Sequence, residues 1–214
     1  GDRVTPVHEI SEERNKFTAD SKGIVKKNNL GDYKSFRRAC IICINSDQDD
    51  SLIRVKLTSV EDDRGRVSRR GMSIRFKETD LRDQGRATRG VKGITLKGAD
   101  DRVVTIEVVR ENTTLLIAGE NGQGKRTEFD QYRVQKRGGS GIIAMRTTAV
   151  TGALSVDEED EIMLLTNGGQ AVRTRVKEVR VIGRTTQGVR LINLKEKDTL
   201  VGINHIVEVD VEEA

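Results

Sequence analysis

A glycine followed four residues later by a basic residue recurs along the whole of this 214-residue chain, and no other feature constrains its fold as tightly. The pairs are Gly23 with Lys27, Gly71 with Arg75, Gly122 with Arg126 and Gly169 with Arg173, a period of 47 to 51 residues. Six residues beyond each base stands a bulky residue, Tyr33, Leu81, Tyr132 or Val179. Fifteen beyond the last three bases stands a further glycine, Gly90, Gly141 or Gly188, and an apolar position closes each motif at Ile44, Ile94, Met145 or Ile192. Self-similarity at a fixed period of this length is the mark of a repeat architecture, in which one supersecondary unit buries its apolar face only against its neighbours.

Each unit is β in character. Val103 to Val109, Leu115 to Ala118 and Glu161 to Thr166 are short runs rich in Val, Ile, Leu and Thr, and Asn121-Gly122 and Asn167-Gly168 supply the residues that tight hairpins need. A composition of 34% charged and 35% hydrophobic residues favours many small sheets over one thick sandwich. An aspartate leads an apolar run at Asp2, Asp50, Asp101 and Asp198, which marks a second strand of the same period. The reading is a single all-β domain spanning 1–214, propeller-like, with about four antiparallel four-stranded blades. Its repeats fall at about 14–59, 60–109, 110–156 and 157–210. Because the chain opens on the strand that elsewhere closes a repeat, 1–13 reads as the tail of a preceding unit that is missing. In the second repeat Arg64 to Arg70 stand where other repeats carry an apolar strand, which predicts a distorted blade.

Net charge is only +4, so the distribution of charge has to identify a partner. Gln135, Lys136, Arg137, Gly138, Gly139, Ser140 and Gly141 form a loop that joins two cations to three glycines. Glycines let main-chain N–H groups approach a phosphate, and the cations add charge-assisted hydrogen bonds. Equivalent loops carry Arg37 and Arg38, Arg86 and Arg89, and Arg184, so each unit brings cations to one place. A second row follows the repeat glycine: Lys26 and Lys27, Arg75 and Lys77, Lys125 and Arg126, Arg173 and Arg175. Together they describe a curved positive rim. Six aromatic residues without a Trp make no stacking platform for single strands, so duplex DNA is the expected polyanion.

Other chemistries fit less well. Gly119 to Arg126 is one residue short of a P-loop, since Arg126 stands where a Mg²⁺-binding Ser or Thr is needed, and no amphipathic helix follows. Cys40 and Cys43 have no second pair or nearby His to complete a zinc or redox site, and they read as core residues of a reducing compartment. Tyr33 and Tyr132 share a repeat position and read as structural, as do His8 and His205. No run of about 18 apolar residues is present for a membrane span.

The motifs themselves resemble a known family. Asp160 to Gly169, Val172 to Val176 and Gly183 to Leu194 look like the last blade of the DNA gyrase A family's C-terminal domain. Gly122 to Thr127 and Lys22 to Lys27 look like earlier blades, and Gln135 to Gly141 like its glycine-rich box. The resemblance implies a β-pinwheel whose neighbouring blades exchange strands and whose basic outer rim wraps duplex DNA, supporting negative supercoiling by a bacterial, ATP-dependent type IIA topoisomerase. It further implies that the domain holds no catalytic site, metal or cofactor of its own, since ATP and Mg²⁺ belong elsewhere in the assembly. The implied partners are duplex DNA, the remainder of gyrase A, and gyrase B in the heterotetramer, in the cytoplasm on the chromosome. The chain shows four units where the family usually has about six, its box-like loop lies in the third, and Ser140 stands where the box often has Lys. The corresponding C-terminal domain of topoisomerase IV, and a β-repeat that docks an acidic protein, are the alternatives.

Overall fold

The computed structural model describes residues 15–33, 44–45, 47, 49–58 and 63–206. They form four antiparallel sheets, and the fold is an all-β propeller-like array. The first sheet is built on the hairpin β1 (Asn15–Asp20) and β2 (Ile24–Asn29), flanked by β3 (Leu52–Thr58) and the two-residue β6 (Val91–Lys92). The second holds β4 (Asp63–Ser68) and β5 (Met72–Lys77) between β7 (Val103–Val109) and β10 (Ile142–Ile143). In the third, β8 (Thr114–Gly119) and β9 (Gln123–Glu128) lie between β11 (Val150–Val156) and β14 (Val189–Arg190). The fourth comprises β12 (Glu161–Thr166), β13 (Ala171–Arg175) and β15 (Leu200–His205).

The pairing defines an exchange. Each repeat gives its hairpin and long closing strand to its own sheet, and the second, third and fourth each lend a two-residue strand to the sheet before: β6 to β2, β10 to β5, β14 to β9. A short 3₁₀ turn after each hairpin, such as Phe129–Gln131, redirects the chain toward the neighbouring blade. A glycine precedes each two-residue lent strand and lets it approach its partner closely. At Gly141 φ is +71°, and a Cβ would fall 2.3 Å from the Ser73 carbonyl oxygen, a space no side chain can share. At Gly90 and Gly188 a Cβ would fall 2.5 Å from the carbonyl oxygens of Val25 and Gly124.

The aspartates that lead the closing strands fasten the hairpins. Asp50 accepts from the Ser21 backbone N–H and hydroxyl at 3.0 and 2.6 Å, Asp101 from the Arg70 N–H at 3.0 Å, and Asp198 from the Gly168 N–H at 2.9 Å. Apolar burial sits mainly between blades rather than within them. One cluster joins Phe17, Ala19 and Val25 of the first blade to Ile74, Phe76 and Ile106 of the second, and the two others join the second to the third and the third to the fourth. Each such side chain contributes about 1.5–3 kcal/mol relative to exposure, so a blade's stability depends on its neighbour.

The distorted second blade expected from Arg64 to Arg70 is not what forms. β4 pairs on both sides, with β5 and β7, and its one register shift, between Val67 and Ser68, has counterparts in the other three sheets. Arg66 is fully buried, its guanidinium carbon 4.3 Å from the centre of the Phe76 ring and 5.2 Å from that of Phe17. Gly93 makes the room, since a Cβ there would fall 2.3 Å from an Arg66 nitrogen. A planar, weakly hydrated cation stacked between aromatic faces substitutes for an apolar core residue.

Candidate nucleic-acid interface

The loops 84–90, 135–141 and 182–188 are placed by the same two backbone hydrogen bonds in successive repeats. At the start of each loop one N–H reaches the preceding blade: Gln84 donates to the Lys27 carbonyl at 3.0 Å, Gln135 to Arg75 at 2.8 Å, and Ile182 to Arg126 at 2.9 Å. At the middle, the preceding repeat donates in return: Asn45 to the Thr88 carbonyl at 3.4 Å, Thr95 to Gly139 at 2.9 Å, and Arg146 to Thr186 at 3.0 Å. The loops therefore follow one another as a ladder, and Arg86, Arg137 and Arg184 occupy one register in it.

Lys136, Arg137 and Arg89 are exposed, and Arg86 and Arg184 are partly so. Arg137 donates to the carbonyls of Asp80 and Lys92, each at 3.3 Å, and Arg184 donates to the carbonyl of Ile143. Lys92 and Ile143 are the last residues of β6 and β10, so each arginine leans on the lent strand of the preceding repeat. Arg89 pairs with Asp47. The glycine-rich loop is held from the second repeat: the Gly138 N–H donates to the Gly93 carbonyl at 2.8 Å, and the Thr95 hydroxyl donates to the Gly138 carbonyl at 2.7 Å.

Most of the second cation row expected on the rim lies inside. Lys26 and Lys125 are fully buried. Lys125 Nζ donates to the Gly183 and Arg184 carbonyls at 2.7 and 2.5 Å, and Lys26 Nζ to those of Arg86 and, at 3.1 Å, Thr88. Lys27 is buried against Asp83 at 3.0 Å. Arg75 is held by Asp63 and by the Phe129 carbonyl at 2.7 Å, and buried Arg126 by the Val179 carbonyl at 2.7 Å. Contrary to the expected place on the rim, these five tie blades together: each hairpin cation donates to a carbonyl or pairs with a carboxylate of the next repeat, Arg75 holding Asp63 of its own blade as well. Arg173 and Arg175 do face out from β13, each beside Glu161. Arg37 and Arg38 lie outside the described residues, as do Cys40 and Cys43.

Burial, with Arg184 as the second cause, pushes the Lys125 ammonium down to about 8, so it is still largely charged at neutral pH. Burial likewise lifts the Tyr132 phenol to about 12, in keeping with a core position beside Phe129. Gly119 to Arg126 are the end of β8, a hairpin turn with Gly122 at φ +75°, and the start of β9, a hairpin rather than the strand–loop–helix of a P-loop. Among the described residues no group of three His, Cys, Asp or Glu is arranged to hold a metal, and no helix is long and apolar enough to cross a membrane. Sequence reasoning missed Arg66 and the lysine-to-carbonyl ties. Lys26 and Lys125 stand three residues after the repeat glycines Gly23 and Gly122, a spacing that carries no information about which face the base takes, and Arg66 has no such marker.

Comparison with known proteins places these features in a family. A family model described as DNA gyrase C-terminal domain, beta-propeller, matches residues 67–110, 113–154 and 160–206. DNA gyrase A of Salmonella typhimurium is 42% identical over 215 residues, covering 98% of this chain and 24% of that protein. DNA gyrase A of Mycolicibacterium smegmatis is 45% identical over 191 residues, 86% of this chain and 23% of its own length. The chain thus spans about a quarter of these relatives. A solved DNA gyrase A C-terminal domain superposes with a TM-score of 0.83 at 27% identity, covering 93% of this chain and 68% of that one. The C-terminal domain of DNA topoisomerase IV gives 0.87 at 22% identity over 94% and 64%, a likeness of fold.

Proposed function

The chain belongs to the DNA gyrase C-terminal β-propeller family, and from that premise we propose that it binds duplex DNA without sequence preference along the ladder of basic loops and bends it around the array. The observation that carries this reading is the shared register of Arg86, Arg137 and Arg184, with Lys136 and Arg89 on the same loops. Cations at one address per blade contact phosphates and read no bases. A track that turns from blade to blade bends what it holds, and smooth bending of 20–30 base pairs costs on the order of 1 to 6 kcal/mol, which several phosphate contacts offset. Within a whole gyrase A the domain would serve supercoiling by wrapping, with gyrase B, ATP and Mg²⁺ acting elsewhere and the complex on the chromosome in the cytoplasm.

Titration of a linear duplex at increasing salt tests the binding. Five phosphate-contacting cations give a slope of log K against log salt of about −4.5, a loss of roughly 500-fold between 50 and 200 mM. Affinity that does not change with salt overturns the reading. The same protein on a relaxed plasmid resealed by a nicking-closing enzyme reports handed wrapping as a linking-number change of one sign.

A further inference from the structure

The ladder's loops are held from beneath in two different ways. Under loop 182–188, Lys125 Nζ donates to two carbonyls, and the Thr127 hydroxyl donates to a third, that of Ile182, at 2.9 Å. Under loop 84–90, Lys26 and Asn28 stand at the equivalent positions of the first hairpin and donate to the carbonyls of Arg86, Thr88 and Gln84. Under loop 135–141 the same two positions are Ile74 and Phe76, both fully buried and without a donor. There the loop is the glycine-rich one. Its Gly139 lies against Ile74, with a would-be Cβ 3.7 Å from Ile74 Cδ1, and its Gly138 carbonyl turns to Thr95. A buried lysine thus accompanies a loop without paired glycines, and a buried isoleucine the loop that has them.

We propose that Lys26 and Lys125 are positioning residues for polyanion binding, each a buried ammonium that gathers the carbonyls of the next repeat's loop and so fixes Arg86 and Arg184 in the register that Arg137 gains from glycine geometry. A buried ammonium is retained only where its hydrogen bonds are met, and the loop carbonyls meet them. Two carbonyls drawn to one cation, with a third held by Thr127 or Asn28, define the loop's backbone, and the arginine within that backbone is left on the rim. This inference rests on the reading of the ladder as a DNA track, and the experiment separates the two.

The variants K125M, K26M and R184A are made in the 214-residue chain. Amide exchange of loop 182–188 is followed in the free protein, with β8 as internal reference, and duplex affinity is titrated against salt. K125M is expected to speed exchange in that loop by about tenfold or more while β8 stays protected. It should lower the salt slope by about 0.9, as R184A does, and K125M/R184A should be no weaker than R184A alone. K125R, which keeps the charge, should recover part of the slope. K26M should act in the same way on loop 84–90, which keeps the test alive if K125M does not fold. Unchanged loop exchange overturns the proposal. So does faster exchange in a K125M that binds DNA as the parent does while R184A binds less. If R184A itself leaves binding and slope untouched, the DNA track fails while the structural clamp stands.

Discussion

Replacing Gly141 with alanine tests the strand exchange that builds the array. Two costs can be read from its surroundings. At φ +71° an alanine takes the left-handed conformation, at about 1–2 kcal/mol. Its Cβ would also lie 2.3 Å from the Ser73 carbonyl oxygen and 2.8 Å from its carbon, so the backbones must part by roughly 1 Å. That separation opens the Ile142–Ser73 and Ile143–Met72 pairs, the whole of the β10–β5 ladder, at about 0.5–1.5 kcal/mol for each hydrogen bond lost. The sum is about 2–5 kcal/mol. Gly169 is the control: its φ is +82° but nothing lies within 4 Å of its would-be Cβ, so G169A carries the conformational cost of about 1–2 kcal/mol alone. Urea unfolding of the two variants should place G141A below G169A by at least about 1 kcal/mol, with exchange of the Ala144 amide accelerated only in G141A. Equal midpoints would refute the argument that close approach, rather than backbone conformation, demands the glycine.

Two further outcomes follow from buried acids. Asp20 is lifted from 3.8 to about 7, chiefly by burial and further by its hydrogen bond and repulsion with Asp50, at a turn where Ser68 offers Asp101 a hydroxyl in the next blade. A raised folded-state pKa stabilises fully below about 3.8 and is lost as pH rises through about 7. Between pH 5 and 7.5 the parent should therefore lose about 2 kcal/mol more than D20N, whose amide donates to Asp50 at every pH; parallel pH profiles in chemical denaturation would contradict this. Glu107, buried on β7, ties the second blade to Arg54 and Lys56 of the first at 3.1 and 3.2 Å. E107Q should cost about 1–2 kcal/mol, less than a fully buried pair because Arg54 and Lys56 keep 36% and 31% exposure, and thermal melting that matches the parent's would deny the tie.

The all-β repeat architecture was legible because glycines, closing-strand aspartates and apolar runs return with one period, each under a local constraint. The glycines answer to positive φ and close approach, and the aspartates fasten hairpins some 30 residues upstream. The basic loop was legible too, and Arg86, Arg137 and Arg184 do share a register. The face taken by Lys26, Lys125 and Arg126 was not. Alternation along a strand tells two faces apart without saying which is inside, and here both faces of a blade's inner strands pack, as the wholly buried β8 does. Arg66 was misread for a related reason: a charged residue signals exposure unless aromatic faces enclose it, and while Phe76 comes from the neighbouring strand of the same sheet, Phe17 reaches it only through the blade interface. The lent strands β6, β10 and β14 are two residues long and leave no periodic signal of their own.

The claim that one arginine per blade builds a phosphate track is tested most directly by the salt dependence of duplex affinity for R86A/R137A/R184A against the parent chain. Three lost contacts should make the slope of log K against log salt shallower by about 2.7, with each single substitution removing about 0.9. A triple variant that keeps the parent slope, in a protein whose blades remain folded by amide exchange, would contradict the account.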